Sequence, residues 1–318
     1  MQLEKAKKPT RRAFAERMKE YGSIDGDFVV FEADIGYSTY SHLFGDAFPK
    51  RYFNMGIAEQ NEAASAAGMA SDGRTVVVCT YGVFLSMRAL EMIRSFICYP
   101  NLNVKFLASH GGLTAAIDGV THQATEDIAI LTTLPNMKVF CPADSHAARS
   151  VFDLAMGTPG PVYTRLMRDP LFEVYSGSET FKCGGSHCLR EGKNITIVSY
   201  GDILFQALEA AESLAARGVE AEVLDMYSLK PFDADGVLAS ARKTGAVLVA
   251  ENHQRRNGLG YEIAAWLLKN CPVPFDNLGL DDTFAESGDY PRVIQKYGIS
   301  CSTIVSRALQ LLERKETL

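Results

Sequence analysis

The sequence predicts an α/β protein of two domains, each with a mainly parallel sheet flanked by helices. Three observations carry that prediction. Short apolar runs alternate with helical patterns along most of the chain, as strand–helix–strand units with covered sheets require. The alternation lapses over 166–193, where Pro170, Gly177, Gly184, Gly185 and Gly192 interrupt it, and then restarts. The chain's 318 residues, 47% hydrophobic and 22% charged, are enough for two cores.

The elements follow in order. Residues 28–33 read as a strand, and an alanine-rich helix carrying Glu59 follows. Strands are predicted at 75–80, 104–108, 138–140 and 161–165, separated by helices over 84–97, 126–133 and 145–156. The second unit starts with a strand at 195–200, then an amphipathic helix over 203–217 stopped by Gly218. Further strands fall at 221–224 and 246–250, and helices at 261–269 and 303–313. The divisions are a first domain over 1–170, a linker over 171–192 and a second domain over 193–318.

The net charge of −6 argues against nucleic acid as the main partner. No apolar run approaches the roughly 20 residues that span a bilayer, and the basic start, 1–12, has no hydrophobic segment behind it. A cytoplasmic protein with free, mostly buried thiols is the expectation, because the seven cysteines are scattered and form no CxxC pair. Cys183, His187 and Cys188 lie close together, but no second ligand cluster at zinc-like spacing accompanies them. Asn257-Gly258-Leu259-Gly260 opens a helix whose N-terminus suits an anion, though a plain turn explains it as well.

Two segments carry candidate chemistry. Glu59 sits among small residues, Ala58, Ala63, Ala64, Ala66 and Ala67, which let another backbone approach. A carboxyl group buried there is suited to holding or passing a proton; an ordinary solvated face is the competing reading. The second segment, 110–123, follows a strand end and gathers His110, Asp118 and His122 on a glycine-rich loop. Imidazoles move protons near neutral pH, and glycines let a ligand come close.

The Glu59 segment, Tyr81-Gly82-Val83-Phe84, the 110–123 loop, Asp144 and the 161–165 strand together resemble the pyrimidine-binding domain of transketolases. Residues after about 193 resemble the transketolase C-terminal domain. The resemblance implies that Glu59 hydrogen-bonds the aminopyrimidine ring of thiamine diphosphate, so that the ring's exocyclic nitrogen can remove the C2 proton of the thiazolium. It implies that Phe84 stacks on that ring, joined by Tyr81, and that Asp34 lies near the cofactor. His110 and His122 match histidines near the substrate carbonyl and hydroxyls, and Asp118 the aspartate that binds the adjoining hydroxyl. Arg11, Ser38, His110 and Arg165 match positions that bind a sugar phosphate, in keeping with the fit of guanidinium forks to phosphate oxygens. Arg168 is a further candidate for that role. The family's usual glutamate before Asp118 is Ile117 here, which bears on the choice of substrate.

Full-length relatives carry Gly-Asp-Gly and a downstream asparagine for a divalent metal and the diphosphate. Here Gly26-Asp27, Gly45-Asp46, Gly201-Asp202 and Gly288-Asp289 are each followed by a residue other than glycine. The resemblance therefore implies the small subunit of a two-chain transketolase. An N-terminal transketolase subunit would hold the diphosphate and Mg2+ or Ca2+, in a heterotetramer inactive without it, and the isolated chain would self-associate. Two alternatives remain: the β subunit of a 2-oxo acid dehydrogenase E1 component, and a non-catalytic scaffold paralogue. The 118–123 run and the phosphate set favour sugar phosphates as substrates; Glu59 and both histidines argue against the scaffold.

Overall fold

A computed structural model describes residues 4–316. The outermost residues of the two predicted domains, 1–3 and 317–318, lie outside the described residues. The strands are β1 (Glu4–Lys5), β2 (Phe28–Glu32), β3 (Tyr52–Asn54), β4 (Thr75–Tyr81), β5 (Val104–Ser109), β6 (Lys138–Phe140) and β7 (Val162–Arg165). They continue as β8 (Phe172–Glu173), β9 (His187–Arg190), β10 (Ile195–Ser199), β11 (Ala221–Asp225), β12 (Ser228–Lys230), β13 (Val247–Gln254) and β14 (Phe275–Leu280).

The first sheet has the order β12-β6-β7-β5-β4-β2-β3. Its strands run parallel except for β12, which pairs antiparallel with β6. On one face, Val29, Phe31, Val76 and Val78 pack against Ala63, Ala66, Ala67 and Ala70 of the Glu59–Ser71 helix. On the other, Phe28, Val30 and Val77 meet Ala13, Phe14 and Met18 of the Thr10–Gly22 helix and Phe152 of the Ser145–Gly157 helix. The apolar strands are thus buried on both sides, the condition under which parallel sheets are stable. The second sheet has the order β14-β13-β10-β11-β9, parallel except for β9. Helices Leu204–Ala215, Ala234–Thr244, Leu259–Asn270 and Cys301–Glu316 accompany it.

All the predicted strands form. The short or polar strands β1, β3, β12 and β14 went unread, because two or three residues or an Asp-Asn interior give little alternation, whereas the 166–193 stretch was read as a linker with a short strand or two. Helix Thr10–Gly22 also went unread, because its lysine- and arginine-rich approach hid the buried set Ala13, Phe14 and Met18. The stretch read as a linker contributes β8, which pairs with β1, and β9, which joins the second sheet.

The helix expected over 84–97 is interrupted. Residues Phe84–Arg88 and Ile93–Cys98 are wound as wider π-turns around Leu90–Met92. Such turns reorient side chains and recur at functional sites. Here the first of them carries Phe84 and Arg88.

Of the seven cysteines, all free, Cys79, Cys98 and Cys141 are buried while Cys183 and Cys188 are exposed, so the expectation of mostly buried thiols is only half met. His187 turns away from both neighbouring cysteines, with its ring nitrogens against Tyr175 and the Thr180 carbonyl. No described helix is long and apolar enough to cross a membrane.

Candidate active site

The residues singled out from the sequence gather at the carboxyl ends of adjacent strands, where ligands bind in open α/β sheets. Asp34 and Ser38 follow β2, Asn54 and Glu59 follow β3, Tyr81 and Phe84 lie at the end of β4, and the 110–123 loop follows β5. Arg168 follows β7, and Arg11 reaches the same place from the Thr10–Gly22 helix.

Glu59 begins its helix with 1% of its surface exposed. Asn54 shapes the approach: its side chain donates to Asp34 and accepts from the Gly56 amide, both at 2.8 Å. Gly56 has φ +71°, a conformation that favours glycine. An acidic group in the first turn also faces the positive end of the helix dipole. Arg88 Nη1 donates to Glu59 Oε2 at 2.7 Å, and its guanidinium lies 4.4 Å from the centre of the Phe84 ring. Arg88 went unread in the sequence; the signal was its position four residues after Phe84 on a helical pattern.

The aromatic wall is continuous with the histidines. Tyr81 and Phe84 are 5.8 Å apart between ring centres, Tyr81 and His110 4.1 Å, and Phe84 and His122 5.5 Å. The Tyr81 hydroxyl donates to Ser38 Oγ at 2.8 Å, and Arg11 Nη1 donates to the same oxygen at 3.1 Å. Arg11 Nε is committed to the Arg168 carbonyl. Arg11 therefore fastens the Ser38 loop to the segment after β7 while standing at the site's base.

His110 is buried, with φ +64°. Burial, helped by the positive charges of Arg11 and Arg168, pushes its imidazole down to a pKa of about 2. It is therefore neutral at working pH and serves as a hydrogen-bonding group, with Nδ1 against Ser109 Oγ at 2.7 Å and Nε2 3.8 Å from Asp118 Oδ2. Asp118 accepts from Arg168 Nε at 3.1 Å. Ile117, beside it, is 66% exposed and makes an apolar rim.

Arg165 requires a correction. It was expected among the phosphate ligands, but it is fully buried. Its Nε donates to Asp127 Oδ2 at 3.0 Å, and its Nη2 to the Ala124 and Asn252 carbonyls. Tyr163 completes the arrangement by donating to the same Asp127 oxygen. The guanidinium thus ties the first sheet to a loop and to the second domain, and a strand's last residue reached it by pointing inward rather than up.

The second domain holds the active loop from outside. Asn252 Oδ1 accepts from the Leu113 amide at 2.9 Å, and the Gly288 amide donates to Ala116 O. A side chain at Gly112, whose φ is +56°, would meet Asn252 at 2.5 Å. The glycine-opened helix beginning at Leu259 binds an anion of its own chain: the Leu259 and Gly260 amides both donate to Glu251.

The comparisons agree with this geometry. The family model of the transketolase pyrimidine-binding domain matches residues 6–172, and that of the transketolase C-terminal domain residues 184–304. A 6-deoxy-6-sulfo-D-fructose transketolase subunit, SqwH, of Clostridium sp. (strain MSTE9) is 37% identical, over 96% of this chain and 95% of that protein. An apulose-4-phosphate transketolase subunit of Phocaeicola vulgatus is 32% identical, over 96% and 97% respectively. A solved structure described as a split gene transketolase, inactive beta4 tetramer, is 43% identical with a TM-score of 0.91, covering 96% of this chain and 99% of that one. The likeness does not favour the dehydrogenase alternative. The chain belongs to the transketolase family, as the C-terminal subunit of its split form.

Proposed function

We propose that the chain works with an N-terminal transketolase subunit to move a two-carbon ketol unit from a ketose phosphate to an aldose phosphate, using thiamine diphosphate. The observation that carries this reading is the meeting, at one sheet end, of a buried carboxylate, an aromatic wall and paired histidines with arginines beyond them. Thiamine diphosphate fits the donor set: Glu59 offers a buried acceptor at a helix start, and Phe84 and Tyr81 offer ring faces. Arg88, which holds Glu59, has a side chain 47% exposed and is free to yield to a ligand. When bound, the cofactor supplies the carbon nucleophile that adds to the ketose carbonyl.

The roles of this chain's own residues follow. Glu59 accepts a hydrogen bond from the ring and so fixes where its protons sit. Asp34 holds Asn54, and through it the turn into the Glu59 helix. Neutral His110 donates to or accepts from substrate oxygens, and His122 takes or gives the proton of a substrate hydroxyl. Asp118 binds the hydroxyl next to the carbonyl. Ser38, Arg11 and Arg168 face the anionic end of the sugar. In this reading the diphosphate and its Mg2+ or Ca2+ would be held by the partner. Two of the relatives are named for sugars ending in a sulfonate and a phosphate. An anionic terminal group is the shared chemistry.

Mixing the chain with candidate N-terminal subunits, magnesium and thiamine diphosphate, and assaying two-carbon transfer, tests the reading. Activity should need both chains, in keeping with the relative described as an inactive beta4 tetramer. Robust transfer by this chain alone would refute the two-chain architecture. In the active complex, Arg168→Ala should raise the KM for phosphorylated substrate by about ten- to a hundredfold, the loss of one charge-assisted contact. The kcat should change less. An unchanged KM would remove Arg168 from the anion site.

A further inference from the structure

Glu62 is a charged residue type with 0% of its surface exposed, and neither carboxyl oxygen has a hydrogen-bond partner. It lies one turn after Glu59 on the same helix, at the i,i+3 spacing that brings side chains to one face. The ionisable groups that act on it are carboxyls. Its own helix presents Glu59, and Glu32 approaches from the end of β2. β4 presents the Cys79 thiol and backbone amide, and that amide stops short of hydrogen-bond geometry. The Thr80 hydroxyl is likewise buried without a partner, so the sheet commits no side-chain donor to the carboxyl. Arg88 gives its guanidinium to Glu59.

An ionised carboxylate with no donor in such a place costs several kcal/mol, and the group keeps its proton instead. We propose that Glu62 is a positioning acid that keeps its proton one turn behind Glu59, so that no second negative charge stands beside the Glu59 carboxyl. Burial, then the neighbouring Glu59 and Glu32, raise the Glu62 carboxyl well above the usual range, in line with this arrangement. Were Glu62 ionised, a second buried negative charge would stand beside the carboxyl that Arg88 holds. The consequence for catalysis rests on the reading of Glu59 as the cofactor's partner; the protonation of Glu62 does not.

The test uses the full-length chain with carbon-13 in its glutamate side-chain carboxyls, the two resonances assigned through Glu59→Gln and Glu62→Gln. The Glu62 carboxyl should remain protonated at neutral pH in the unaltered chain. An ionised Glu62 at neutral pH overturns the proposal. Thermal melts give a second reading. The unfolded chain releases the Glu62 proton near 4.5 while the folded chain keeps it, so the folded state binds more protons and stability falls as pH rises from there. Glu62→Gln should therefore gain on the unaltered chain as pH increases; parallel curves would contradict the inference. Absence of transfer by the unaltered complex would count against the cofactor reading, while the titration still decides the role of Glu62.

Discussion

Glu59→Gln in the reconstituted complex should lower two-carbon transfer by about 10²- to 10⁴-fold, the range over which a positioned proton-handling group contributes. Glutamine keeps the volume and an oxygen for Arg88, whose contact lies at 2.7 Å. In the proposed mechanism it replaces the carboxyl that fixes where the cofactor's protons sit. The helix should survive, because its packing comes from Ala63, Ala66, Ala67 and Ala70 against β2 and β4. Circular dichroism and assembly with the partner should therefore be unchanged while kcat collapses. More than a tenth of normal activity would remove Glu59 from the reaction.

Arg165→Met should act on stability instead. The substitution strands Asp127 without its cation in a fully buried setting, at a cost of about 3–5 kcal/mol. Asp127 Oδ1 already has no hydrogen-bond partner, which leaves that carboxylate little else to rely on beyond Tyr163. Denaturant melts of Arg165→Met, Asp127→Asn and the double variant would isolate the pair, with the double variant less damaged than the sum of the single ones. If Arg165→Met instead folded normally and only raised KM for phosphate, the arginine would belong to the substrate after all.

These two residues show how far the sequence can be read. The small neighbours of Glu59 left a buried carboxyl and a solvated face both open, and the resemblance to the pyrimidine-binding domain singled it out; the structure buries it. The histidine loop was legible as a strand-end segment and the aromatic pair through the family resemblance, and the fold brings them within ring contact of one another. Arg165 was not, since a strand's final residue can turn up to solvent or inward to a partner. That choice was made by Asp127 and Asn252, far away in the chain. Arg88 escaped notice because its spacing four residues after Phe84 reads as any helical pair, and the π-turn that sets its direction is not visible in that spacing. Glu62 looked like one more polar position on a helix. Its burial depends on which face the helix turns to the sheet, a fact fixed by packing.

Strand β12 departs from the residues of the second domain and completes the edge of the first sheet beside β6. Severing the polypeptide between the halves would uncover a backbone ladder along β6, an invitation to misassembly. Fragments made at that seam should clump when produced singly and recover solubility when made together, so the covalent halves are better regarded as one folding partnership than as exchangeable modules.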